Sequence, residues 1–242
     1  MSDVLEKERI ENTKKLSEAQ NLKDLALDFM RETGPYRYTY NFRWMGVPII
    51  QFPQDLVALQ EIIWDTRPEV IIEAGIAHGG GLVFCASMLE MAGIDGLVVG
   101  VEIDFRAHNR KVIEAHPMSR RIKVVDGSSI DPSTVNKVKE LVAGRRALVI
   151  LDSNHTHEHV LAELQAYSPL VQEGGYLVVF DTTIEDQPEG FFAGQAWSKT
   201  NNPKTAVREF LKTNKRFEVD AGLESRLLIT VAREGYLRCV RS

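Results

Sequence analysis

Cysteine is nearly absent from this chain: Cys85 and Cys239 are the two in 242 residues. Two thiols so far apart build neither a disulfide framework nor a structural zinc site, so a reducing compartment, the cytoplasm, is expected. There is no excess of positive charge either. The net charge is −5 and the pI about 5.7, which excludes a protein built to coat nucleic acid. No stretch approaches the roughly 18 uncharged apolar residues of a membrane-spanning helix, so no stable membrane insertion is expected. The first fifteen residues mix charges of both signs instead of running basic and then apolar, so no secretory leader is expected. Repeats and low-complexity linkers are missing too. What remains is an ordinary globular composition, 44% hydrophobic and 26% charged, in a length that suits one domain with an appendage.

The N-terminal fifth carries the appendage. Leu5, Ile10, Leu16, Leu22, Leu25 and Phe29 recur at loose helical spacing among charges, which predicts a helical arm ended by Gly34-Pro35. An aromatic segment, Tyr36 to Trp44, follows. We therefore divide the chain into an N-terminal helical and aromatic extension, residues 1–50, suited to cap the domain or meet a second copy in a homo-oligomer, and a domain over 51–242.

From Glu69 onward short apolar runs alternate with helical stretches. Val70-Ile71-Ile72, Leu97 to Val101, Ile122 to Val125, Ala147 to Leu151 and Tyr176 to Phe180 are rich in β-branched residues and show no polar alternation. Strands buried on both faces read this way, as in a parallel sheet covered by helices on both sides. The helical stretches include Asp55–Asp65, Ser133–Val142 and His159–Leu170. At the end, Phe217-Glu218-Val219 and Leu227 to Val231 predict a hairpin turning near Gly222.

Open α/β sheets bind ligands at the C-terminal ends of their strands. After the first strand stands Glu73-Ala74-Gly75-Ile76-Ala77-His78-Gly79-Gly80-Gly81. The order is an acid and then G-x-x-x-G-G-G, not the G-x-G-x-x-G that cradles a pyrophosphate. It fits a ligand with an amino-acid moiety and a ribose, such as S-adenosylmethionine (SAM). Glu102, the first acid after the second strand, suits the two ribose hydroxyls, because a carboxylate accepts two donors at once. The third strand ends Asp126-Gly127-Ser128, small enough for a flat base, with Asp126 or Ser128 as partner of its amino group.

Asp152 and Asp181 end the next two strands. Like charges held close favour a cation between them, and hard oxygens favour magnesium or calcium. His155 has an unperturbed pKa suited to accept a proton near neutrality. The run His155-Thr156-His157-Glu158-His159 lacks the His-Glu-x-x-His order of helical zinc enzymes.

Together these motifs resemble the cephalosporin hydroxylase and rhamnosyl O-methyltransferase family of class I SAM-dependent methyltransferases. The resemblance runs from Tyr40-Asn41-Phe42-Arg43-Trp44 through Leu151-Asp152-Ser153-Asn154-His155 to Glu173-Gly174-Gly175 and Phe180-Asp181, roughly residues 40–185. It implies a Rossmann-like fold with seven strands, mostly parallel, the last antiparallel. It implies SAM at Glu73, Gly75, Gly79, Gly80 and Glu102, to which the reading of the strand-end loops adds His78, Asp126, Gly127, Ser128 and Asp152 as expected SAM contacts. It implies magnesium on Asp152 and Asp181, His155 as base with Asp152 beside it, and a sugar, glycan or glycosylated acceptor. The family pattern has a second acid where this chain has Phe180, and another where it has Ser153. The segment Thr183 to Lys204, with Phe191, Phe192 and Trp197, is expected to close over the acceptor. Two rival readings are a nicotinamide-dependent oxidoreductase, disfavoured by the loop spacing, and a catalytically silent SAM-binding or assembly subunit, favoured by Phe180.

Overall fold

In the computed structural model, residues 3–241 are described. The arm consists of two helices, α1 (Asp3–Glu18) and α2 (Gln20–Thr33), broken at Ala19. No residue of α1 is buried, whereas α2 buries Ala26 and Met30. Short 3-10 turns over the aromatic segment lead into a hairpin of β1 (Phe42–Trp44) and β2 (Val47–Ile49). Its tight turn is Met45-Gly46, both at positive φ, as a two-residue hairpin loop requires.

The domain is a seven-stranded sheet: β3 (Val70–Ala74), β4 (Leu97–Glu102), β5 (Ile122–Asp126), β6 (Ala147–Leu151), β7 (Tyr176–Val179), β8 (Phe217–Val219) and β9 (Tyr236–Cys239). Spatial order is β5-β4-β3-β6-β7-β9-β8. β9, the last strand, runs antiparallel to both neighbours and the other pairs are parallel, as the family resemblance implied. The helices are α3 (Pro53–Thr66), α4 (Gly80–Met91), α5 (Ala107–Ala115), α6 (Pro132–Val142), α7 (His157–Tyr167), α8 (Pro203–Thr213) and α9 (Ala221–Leu227).

The two-residue period of the strands sorts the core into two layers. Ile71, Leu148, Ile150, Val178 and Phe180 pack with α3 and α4 on one face. Val70, Ile72, Val149, Leu151 and Val179 pack with α6, α7 and α8 on the other. The order reverses between β3 and β6, whose first crossovers leave in opposite directions. That switch point opens a crevice at the C-terminal strand ends.

The C-terminal hairpin expected from the sequence is not formed. Gly222 lies inside α9, which Asp220 caps by accepting from the Leu223 N–H at 2.9 Å. Leu227 to Val231, read as a strand, is the end of that helix and a loop. Asp55 of α3 draws this loop inward: Thr230 and Tyr236 donate their hydroxyls to its carboxylate, and Val231 its N–H at 3.1 Å. The true partner of β7 begins after Gly235, where a Cβ would sit 2.1 Å from the Val179 carbonyl oxygen.

Candidate active site

The loop after β3 is shaped by close backbone approach. A Cβ on Gly75 (φ +91°) would lie 2.1 Å from the Asp152 carbonyl oxygen, and one on Gly80 2.2 Å from that of Pro48. Glycine is needed at Gly75 for both reasons, space and the left-handed backbone. A Cβ on Gly81 would fall 2.0 Å from Glu73 Oε1, so Glu73 occupies the space a side chain would take. Glu73 is 8% exposed. Its Oε2 is buried and has no hydrogen-bond partner among the described residues. Burial pushes its carboxyl up to about 8, because a lone carboxylate is costly to desolvate.

Glu102 ends β4 beside this loop. One oxygen accepts from the Ile76 N–H at 3.0 Å, the other from the Ile103 N–H at 2.9 Å. It therefore ties the glycine loop to the neighbouring strand while facing the crevice. Glu73, Gly75, His78, Gly80 and Glu102 all line one cavity of about 550 Å³ with Asp152, His155 and Asp181, a size suited to small ligands. The structure does not bring the third-strand residues into that lining. The Asp126 side chain is exposed and paired with Arg110. The φ of Gly127 is +140°, and its backbone turns toward Thr134. Ser128 uses its carbonyl to accept from the Asp131 N–H at 3.0 Å. Gly79 lies behind the lining, its φ of +90° turning the chain into α4.

At the chemical end, Asp152 is reached from the N-terminal side by Gln51, whose amide donates to Oδ2 at 3.2 Å. Burial raises the Asp152 carboxyl well above the usual carboxylate range, and the nearby charges of Asp181 and Glu73 raise it further. His155 Nε2 stands 3.2 Å from Asp181 Oδ2. With hydrogen on Nε2 donated to Asp181, the ring's lone pair is on Nδ1. Asp181 adopts φ +56°, a left-handed conformation that aspartate tolerates better than most residues. Asp152, His155 and Asp181 each offer one ligand atom, all within 4.8 Å of one another, so the chemistry of the residues fits a divalent cation. The Phe180 side chain is buried in the apolar layer and supplies no second acid.

The three histidines after β6 diverge. His157 turns to α8, meeting Thr205 Oγ1 at 2.8 Å and Glu209 at 3.3 Å. His159 meets Ser129 Oγ at 3.0 Å. Beneath it, fully buried Glu163 accepts from both Ser129 and Ser153, which links the loop after β5 to the loop after β6. Sequence reading missed Gln51, Asp55 and Glu163. The signal available for the last was its i,i+4 spacing from His159.

The segment between Thr183 and Lys204 does reach over the cavity. Phe192, Gln195 and Trp197 line it, and the Trp197 ring meets His155 edge-on, 4.8 Å between centroids. A larger cleft of about 780 Å³ opens beside α1 at the N-terminal ends of the parallel strands, opposite the crevice. It holds no histidine, so it lacks the base of the crevice; Arg9, Arg146, Arg226 and Arg238 line it, and Arg226 pairs with Glu61.

Comparison with known proteins agrees with this geometry. A rhamnosyl O-methyltransferase of Mycobacterium tuberculosis is 31% identical over 150 residues, 60% of this chain and 58% of its own length. The chain thus matches little more than half of that relative. The rhamnosyl O-methyltransferase of Mycobacterium leprae is 28% identical over 204 residues, 80% of this chain and 81% of that one. A solved CmcI structure containing SAH superposes with a TM-score of 0.58 at 20% identity, covering 82% of each chain. Another containing magnesium and SAM gives 0.58 at 19%, covering 83% of this chain and 77% of that one. These superpositions establish the class I methyltransferase fold. The family model Rhamnosyl O-methyltransferase/CmcI matches residues 36–240, and the chain belongs to that family.

Proposed function

We propose that this protein is a SAM-dependent O-methyltransferase acting on a hydroxyl of a sugar, a glycan or a glycosylated small molecule. The observation that carries the reading is the division of one cavity. Buried Glu73 and strand-end Glu102 stand at one end, and the His155–Asp181 pair at the other. The names of the mycobacterial relatives support a deoxyhexose such as rhamnose as the acceptor. Among the described residues no helix is long and apolar enough to cross a membrane, and we place the protein in the cytoplasm.

Bound SAM supplies an electrophilic methyl carbon on a sulfonium. Glu73 would hold the amino-acid ammonium with its unpartnered carboxylate, and Glu102 would accept from the ribose hydroxyls. His155 Nδ1 would take the proton of the acceptor hydroxyl. Asp181 steadies the resulting imidazolium through Nε2. A divalent cation on Asp152 and Asp181 would lower the pKa of the acceptor hydroxyl. Positioning supplies much of the remaining acceleration. The Thr183–Lys204 segment and residues 36–50, which contribute Thr39, Tyr40 and Pro48 to the cavity, cover the acceptor. The extension, residues 1–50, thus caps the cavity through its 36–50 part, and its helices are proposed as the contact for a second copy.

The test is methyl transfer from labelled SAM to methyl α-L-rhamnopyranoside. Wild type should form the methyl ether. His155→Ala should lose about 10²–10⁴-fold in turnover with SAM affinity nearly intact, and His157→Ala should keep both. Equal losses from the two substitutions would contradict the assignment of the base.

A further inference from the structure

The cation-binding corner offers an unusual mixture. Asp152 and Asp181 present oxygens, but the third atom converging there, within 4.8 Å of both, belongs to a histidine. Of the two ring nitrogens of His155, Nε2 is the one that faces Asp181 Oδ2, at 3.2 Å. The neighbouring position that would add an oxygen is Phe180, whose ring is packed in the core. The three side chains are half-buried, open enough for an ion to enter from the cavity.

Ligand type decides which ion such a corner prefers. Magnesium demands hard oxygens and parts with water reluctantly. Neutral imidazole suits zinc and its neighbours, whose affinity for mixed nitrogen and oxygen sites exceeds that of earlier divalent ions. We propose that His155 is the third protein ligand of a cation held by Asp152 and Asp181, and that this corner takes zinc-like cations more tightly than magnesium. The proposal rests on the active-site reading above and adds a constraint to it. Ligation through Nε2 requires the lone pair there, so the ring hydrogen moves to Nδ1. No proton is gained or lost overall, but Nδ1 becomes a donor and the base is gone. Zinc therefore blocks methyl transfer, while magnesium, held by the carboxylates, leaves Nδ1 free.

Calorimetric titration of the chelator-stripped full chain with zinc chloride and with magnesium chloride tests this. Wild type should bind zinc on the order of 100-fold more tightly than magnesium. His155→Gln should lose most of that advantage and leave magnesium affinity within about threefold. Asp181→Asn should weaken both ions, and His157→Ala neither. Equal affinity for the two ions in wild type overturns the proposal. So does zinc binding untouched by His155→Gln or by Asp181→Asn, either of which would locate zinc elsewhere. Methyl transfer to methyl α-L-rhamnopyranoside, run with and without stoichiometric zinc, separates the two readings. Full activity in zinc defeats the block at His155. Absence of transfer under every condition defeats the functional reading while the calorimetric result stands on its own.

Discussion

Replacing Glu73 by glutamine gives a sharp test of how the donor end of the cavity is built. The carboxyl is buried, its Oε2 has no partner among the described residues, and its pKa rises from 4.5 to about 8. Below about pH 4.5 folded and unfolded chains both hold the proton, and the group costs nothing. Between pH 4.5 and 8 the unfolded chain releases the proton while the folded chain retains it. The unfolded state then binds fewer protons, so stability falls as pH rises. Each unit is worth about 1.4 kcal/mol, which caps the loss at about 5 kcal/mol by pH 8, with no further loss above it. Glu73→Gln keeps the shape and cannot ionise. Urea denaturation of both proteins at pH 5 and pH 8.5 should therefore show the variant gaining about 2–4 kcal/mol relative to wild type across that interval. Asp55, raised to about 6 by burial, titrates in both proteins and cancels in the difference. Saturating SAH, whose ammonium would pair with ionised Glu73, should reduce the wild-type loss. Equal pH slopes for the two proteins would refute the reasoning.

Other perturbations follow from the same geometry. Gly75→Ala places a Cβ 2.1 Å from the Asp152 carbonyl oxygen at a φ of +91°. It should cost roughly 2–4 kcal/mol, read as a Tm lowered by about 5–15 °C. Trp197→Ala removes the ring packed on His155. It should raise the KM for a rhamnoside several-fold while calorimetry finds SAM affinity unchanged; a matching loss of SAM affinity would reassign the ring to the donor. Lys204 is 2% exposed and pairs with Asp186 at 2.5 Å, closing the base of the Thr183–Lys204 segment. Lys204→Met leaves Asp186 with only Arg233, 3.5 Å away, and should cost about 1–3 kcal/mol in denaturant melts.

The five parallel strands were legible because each is a short β-branched run buried on both faces, a pattern that needs no tertiary knowledge. The last strand was not. Tyr236–Cys239 carries an exposed arginine and follows Arg233-Glu234-Gly235, whereas the β-rich Leu227–Val231 became a loop because Asp55, 175 residues before Thr230 in sequence, captures it through Thr230 and Val231. Site residues at strand ends, Glu73, Glu102, Asp152 and Asp181, could be read because topology alone brings strand ends together. Asp126 also ends a strand, yet Arg110 of α5 draws its side chain outward. Gln51 and Glu163 stand in ordinary polar positions of the sequence. Their burial depends on where a remote loop comes to rest, which no local pattern records.

The proposed activity requires that the cavity bind SAM with Glu102 at the ribose. Titration calorimetry of wild type and Glu102→Ala with SAM, and of wild type with NAD⁺, tests it most directly. The expected result is one SAM per chain for wild type, an affinity roughly ten- to a hundredfold weaker for Glu102→Ala from the loss of about 1.5–3 kcal/mol of charge-assisted hydrogen bonding, and no NAD⁺ binding. NAD⁺ bound in place of SAM, or SAM affinity unchanged in Glu102→Ala, would contradict the account.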